Sequence, residues 1–171
     1  MKNISLAFRN DVCMMGLNPN VSLARAGAVA QYVSGIVIFC GGQSHQNPAH
    51  KDCLYYSPLG DAWHQFTTMK KDHNEASVSN AGNRTYVIGG VGERSVEYVD
   101  MKNFNLLESE ELQAFIPKSR QKVAVSSDKR QQQLPNWQLG PALPDVRARA
   151  CAVASDAKKI YLVGKSIPQI C

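Results

Sequence analysis

Cys40, His45, His50 and Cys53 form a Cys-x4-His-x4-His-x2-Cys series, and thiolate and imidazole are ligands that suit zinc. The spacing matches no zinc motif with a physical rationale. Cys40 closes an apolar run that passes directly into Gly41-Gly42, while His45 to His50 reads as a polar loop, so no metal is expected. The two cysteines carry a second chemistry. Cys40 ends one apolar run and Cys53 opens the next, so antiparallel pairing would set them side by side for a disulfide, the mark of an oxidising compartment. Two buried thiols in a cytosolic protein fit the same spacing, and both readings stand. Five cysteines are an odd number and do not describe a dense disulfide scaffold. Cys13, Cys151 and Cys171 are read as free.

Catalytic signatures are missing from the chain: it contains no Gly-x-Ser-x-Gly, no His-Glu-x-x-His and no phosphate-binding glycine loop. Asp61, Asp72, Asp100 and Asp145 sit at turns, where aspartate is ordinary. No catalytic residue and no cofactor is expected. The residues best suited to recognition are Arg25, Arg147 and Arg149, since guanidinium groups bind carboxylates or phosphates in bidentate fashion.

These residues are positioned by repeated apolar runs. Ile36-Val37-Ile38-Phe39-Cys40-Gly41-Gly42 and Thr85-Tyr86-Val87-Ile88-Gly89-Gly90 place their glycine doublets 48 residues apart. Ile160 to Gly164 repeats the shape, with Lys165 replacing the second glycine. After each doublet come a tyrosine strand, with Tyr56 or Tyr98, and a tryptophan strand, with Trp63 or Trp137. Arg25-Ala26-Gly27-Ala28-Val29-Ala30 matches Arg149-Ala150-Cys151-Ala152-Val153-Ala154 at five of six positions, 124 residues apart. The same 124 residues separate Cys13-Met14-Met15-Gly16 from Trp137-Gln138-Leu139-Gly140.

A doublet, a tyrosine and a tryptophan at a period near 50 resemble kelch repeats, each one blade of a β-propeller. The resemblance runs from about residue 12 to 165. It implies an all-β fold of four-stranded antiparallel blades in an incomplete ring. Residues 1–22 would be the last strand or strands of a preceding blade and 23–70 one blade. Residues 71–144 would be a second blade with an insertion at about 105–133, and 145–171 the first two strands of a further one. Within the insertion, Ser109 to Ile116 reads as a two-turn helix with Ser109 as cap and Pro117 as stop. Lys122 to Ser126 reads alternatively as a strand of a degenerate blade.

Propellers have about 4–8 blades, more than 171 residues supply. A piece of a longer propeller is the leading expectation. Two copies closing a six-bladed ring and an open stack are the others, so a homo-oligomer is not expected. The ends of the chain would pair into one composite blade. Trp63 and Trp137 are expected to pack between blades, and the glycines to permit close approach.

The resemblance also implies an activity: recognition of a protein partner through the loops at one mouth of the propeller. Arg25, Arg147 and Arg149 would gather there, with Ser44, His45, His73 and Arg94 around them, facing acidic groups. In a longer parent such propellers select substrates for ubiquitin ligases or bind actin. The competing reading has the arginines tie blades together through acids and carbonyls. A secreted or cell-surface propeller is the runner-up function, and a galactose-oxidase-like enzyme the third.

The net charge is +5, from 19 basic and 14 acidic residues, and no like-charge run exceeds two. That is too diffuse for a nucleic-acid footprint. The longest apolar stretches are strand-sized, so no membrane span is expected. Met1 to Phe8 is interrupted by Arg9-Asn10-Asp11 and lacks a signal-peptide core. Cytoplasm is favoured slightly over the extracellular space.

Overall fold

The structure, a computed structural model, describes residues 25–57, 62–102, 104, 135–155 and 159–164, and places a hairpin ahead of them. That hairpin is β1 (Ser5–Arg9) paired antiparallel with β2 (Val12–Gly16). The proposed helix and strand of the insertion, Lys165 and Cys171 lie outside the described residues.

β3 (Val29–Val33) turns into β4 (Ile36–Cys40) through Ser34 and Gly35, both at positive φ (49° and 86°). Two such residues make a tight turn whose twist suits the flanking strands. β5 (Asp52–Ser57) and β6 (Ala62–Thr68) complete a four-stranded antiparallel sheet in the order β3-β4-β5-β6. β7 (Ser77–Ala81), β8 (Arg84–Ile88), β9 (Val96–Asp100) and β10 (Gln138–Leu139) form a second sheet by the same meander. β11 (Cys151–Ser155) and β12 (Lys159–Val163) form a two-stranded sheet. β7 packs between β3 and β11. The result is an all-β stack of propeller-type units, with no closed ring among the described residues.

The core lies between the first two sheets. Ile36, Ile38, Cys40, Cys53, Tyr55 and Phe66 meet Val87, Val99, Met101 and Trp137, each under a tenth exposed. The two tryptophans occupy equivalent sites, since Trp63 pairs with Tyr56 on the last strand pair and Trp137 immediately precedes the Gln138–Tyr98 pair. Trp137 is 2% exposed between sheets, whereas Trp63 is half-buried on the far side of the first sheet.

The glycine doublets mark where successive units touch. A Cβ on Gly41 (φ 68°) would stand 2.4 Å from the carbonyl oxygen of His73, and one on Gly89 (φ 66°) 2.5 Å from that of Arg147. Any side chain there would clash with the next unit's backbone. The second glycine of each doublet donates to those same carbonyls, Gly42 N to His73 O at 3.0 Å and Gly90 N to Arg147 O at 2.7 Å.

One sequence alignment is corrected by this geometry. Gly27, Glu75 and Arg149 all have positive φ and are chained, Glu75 N donating to Gly27 O and Arg149 N to Glu75 O, each at 2.8 Å. Arg25 therefore corresponds to His73 and Arg147, not to Arg149, and the five-residue identity is two positions out of register. A shift of two keeps every side chain on its face of the strand, so apolar patterning could not detect the slip.

Candidate functional site

The ends of β4, β8 and β12 meet the entries to β7 and β11 at one end of the stack, and the loops 43–51 and 91–95 lie there. Five of the seven predicted contact residues stay accessible at this end; two do not.

Arg25 is committed to the fold. Its side chain is only 6% exposed and pairs with the Asp52 carboxylate. It also donates to the carbonyls of Gly41 and Asp52, both at 3.4 Å, and lies 5.7 Å from the centre of the Phe39 ring. His73 is likewise corrected. It is fully buried, and its Nδ1 donates to Gly89 O at 2.6 Å while Nε2 faces the Glu97 carboxylate at 3.3 Å. A side chain with no exposed atom cannot meet a partner.

Glu97 is the residue that sequence reading overlooked. It is also 0% exposed, and its carboxylate accepts from the backbone N–H of Lys70 at 2.8 Å and Lys71 at 2.6 Å. It thereby holds the segment linking the two sheets. Burial pushes this carboxyl up, but His73 and the two backbone N–H groups more than offset that and bring it below the usual carboxylate range. The alternation of β9 carried the signal, because Glu97 shares a face with buried Val99.

The loop after β4 is folded by its own side chains. Asn47 N donates to Ser44 Oγ at 3.1 Å, and Ser44 N to Asn47 O at 2.7 Å. His50 Nε2 lies 3.0 Å from Ser44 Oγ, and His50 Nδ1 lies 3.1 Å from Asp52 Oδ1. A carboxylate only accepts, so Nδ1 carries the proton and a neutral ring takes the Ser44 hydroxyl proton at Nε2. The order hydroxyl, imidazole, carboxylate is one in which the imidazole can take the hydroxyl proton while the carboxylate orients it. Here, however, Arg25 already neutralises Asp52. Burial raises the Asp52 carboxyl, and its bonds to Arg25 and His50 outweigh that to leave it lowered. His45 stands exposed at the tip.

Arg94, Arg147 and Arg149 remain as accessible cations. Arg94 donates to Pro144 O at 3.3 Å and Arg147 to Gly164 O at 2.5 Å, each leaving further N–H donors. Arg149 makes a bidentate pair with Glu75, Nε to Oε2 at 2.7 Å and Nη2 to Oε1 at 2.8 Å, yet its side chain is 76% exposed. The pair lowers the Glu75 carboxyl and raises the Arg149 guanidinium. Glu93 turns inward and caps the backbone N–H of Arg94 and Ser95, both at 2.8 Å.

Cys40 and Cys53 face each other across β4 and β5 and form a disulfide, with Cα atoms 4.2 Å apart. Their sulfurs are thereby unavailable to the Cys-His-His-Cys series. Among the described residues no cluster of three or more His, Cys, Asp or Glu is arranged to hold a metal, and no helix is long and apolar enough to cross a membrane.

No protein-family model and no curated protein matches the chain. A solved structure titled "Structure of YjhT" is similar to it, with TM-score 0.54 and 16% identity, covering 85% of this chain and 44% of that one. The chain thus spans under half the length of the structure it matches. At that identity the likeness speaks for a propeller-type fold alone.

Proposed function

We propose that the chain is a kelch-type propeller module that works in non-catalytic protein interaction. Its contact surface is the loop end carrying Arg94, Arg147 and Arg149, with Ser44 and His45 beside them. The observation that carries this reading is Arg149. Its Nε–Nη2 edge is held by Glu75 while the side chain stays three-quarters exposed, which leaves the pre-ordered Nη1–Nη2 edge for a carboxylate on an acidic partner. The doublets, in contact with the next unit at Gly41 and Gly89, support the kelch-type assignment. Substrate selection for a ubiquitin ligase and actin binding are roles for a longer parent.

The test is recovery of partners by the wild type and by an Arg94→Ala, Arg147→Ala, Arg149→Ala triple variant. Arg25 is left in place, because removing it strips Asp52 of its counter-charge. Loss of partner recovery supports the face, and equal recovery refutes it. A fluorophosphonate probe tests the non-catalytic part. Ser44 should stay unlabelled, since Arg25 weakens the pull of Asp52 on His50, and stoichiometric labelling would contradict the reading.

A second reading, a secreted or cell-surface propeller, is favoured by the Cys40–Cys53 bridge, because disulfides persist in oxidising compartments. Mass mapping of non-reduced peptides from cell-expressed protein separates the two readings. A bridged peptide pair supports export, and two free thiols support the cytosol.

A further inference from the structure

The two ends of the stack carry exposed apolar faces. On β11–β12, Val153, Tyr161 and Val163 are 62%, 54% and 69% exposed. The pairing of Val153 with Tyr161 and of Cys151 with Val163 puts all of them on one face. By register, Tyr161 and Val163 stand where Ile38 and Cys40 stand in the first sheet. Those two are 2% and 1% exposed because the second sheet covers them.

The opposite end shows the other half. Tyr32, 63% exposed, pairs with Val37 and shares its face with Phe39, Tyr56 and Trp63. Their rings cluster, with Phe39 and Tyr56 at 5.9 and 5.4 Å from Trp63. This is the side on which the second sheet uses Val87, Val99 and Trp137 to pack against the first. One face is therefore built to lie under a following unit and the other to lie over a preceding one. Apolar patches of this kind mark association surfaces.

We propose that a second copy of this chain covers both faces. The β11–β12 unit of each copy stacks against the first sheet of the other, closing a two-fold ring of six units. The interface is head-to-tail, and rings form when such contacts close. Its chemistry is that of the junction already inside the molecule. Two copies also approach the length of the structure titled "Structure of YjhT", of which one chain covers 44%.

The hairpin β1–β2 has a place in this assembly. It precedes β3 as β5–β6 precede β7, so in the ring it falls beside the partner's β12. Among the described residues β12 pairs only with β11, and its other edge is open to strand addition. A cavity of about 580 Å³ lies beside it, lined by Tyr86, Asp100, Leu143, Ile160 and Leu162 among others. The outer strands of a complete unit would pack there. Chain mass reads the ring and partner recovery reads the arginine face, so the two proposals are tested separately.

Light scattering on the purified 171-residue chain tests the ring. A single species at twice the chain mass is expected, and a monomer or an open-ended ladder would overturn it. Val163→Asp and Tyr32→Asp each place a charge on one exposed half without entering the core, and each should yield a monomer with wild-type far-ultraviolet circular dichroism. Mixing the two variants restores one intact interface and should return dimer, at a higher concentration than the wild type needs. Dimers that survive both substitutions, or a mixture that stays monomeric, would overturn the head-to-tail arrangement.

Discussion

The first junction, between the two four-stranded sheets, is filled, with Trp137, Val87 and Val99 against Ile36, Ile38 and Phe66. The second junction, between the second sheet and β11–β12, uses the same strand positions with smaller groups. Ala152 and Ala154 share the inward face with Ile160 and Leu162, and a cavity remains beside them. Their polar groups differ in the same way. Glu97 and His73 at the first junction are wholly buried, whereas the Arg84–Asp100 pair near the second is 46% and 41% exposed. The two junctions of similar backbone units thus differ in side-chain size and in the burial of their charged groups.

The largest expected effects fall at the first junction. Trp137→Ala should cost about 3–5 kcal/mol, the range for removing a buried aromatic, read as a lower urea midpoint. In dilute protein Trp63→Ala should cost clearly less, because among the described residues no sheet covers its site. Glu97→Ala should cost about 3–5 kcal/mol, the range for orphaning a buried charged partner, since it also frees the Lys70 and Lys71 N–H groups. Comparable losses from Trp63 and Trp137 would erase the contrast.

Removal of the Cys40–Cys53 bridge comes next. It closes a loop with a sequence separation of 13, for which the chain-entropy estimate is about 3 kcal/mol. The matching variant is Cys40→Ser with Cys53→Ser, measured without reductant against the oxidised wild type. Equal midpoints would show that the bridge adds nothing.

Acid provides a subtler probe of the same clamp. The folded Glu97 carboxyl lies below its ordinary value of 4.5. Its contribution is complete above that value and is lost as pH falls through the lower folded one. Glu97→Gln should therefore flatten the acid limb of the stability profile while leaving the neutral-to-alkaline slope unchanged. At the second junction, Asp100→Ala should leave the urea midpoint unchanged, because exposed pairs contribute little. A large loss there would show that the second junction is as tight as the first.

Much of this contrast was legible in the sequence. The doublets, the tyrosine strands and the spacing of Trp63 and Trp137 placed both sheets, because close approach and tight turns leave only glycine at those sites. Arg25 and His73 were misread as contact residues for a physical reason. Chain position fixes the end of a strand at which a side chain sits, but its partner comes from another strand of the same unit, 27 residues away for Asp52 and 24 for Glu97. The two-residue slip between Arg25 and Arg149 escaped notice because period-two patterning is blind to even shifts.

Native-state hydrogen exchange on β7 and β12 tests the stacked arrangement most directly. β7 is flanked by β3 on one side and β11 on the other, so the β7 amides bonded to β8 should exchange only by global unfolding. The outer-edge amides of β12 should exchange by local opening in dilute protein, and slow when the chain is concentrated enough to pair. Equal protection of β7 and β12 at all concentrations, or fast exchange in β7, would contradict the account.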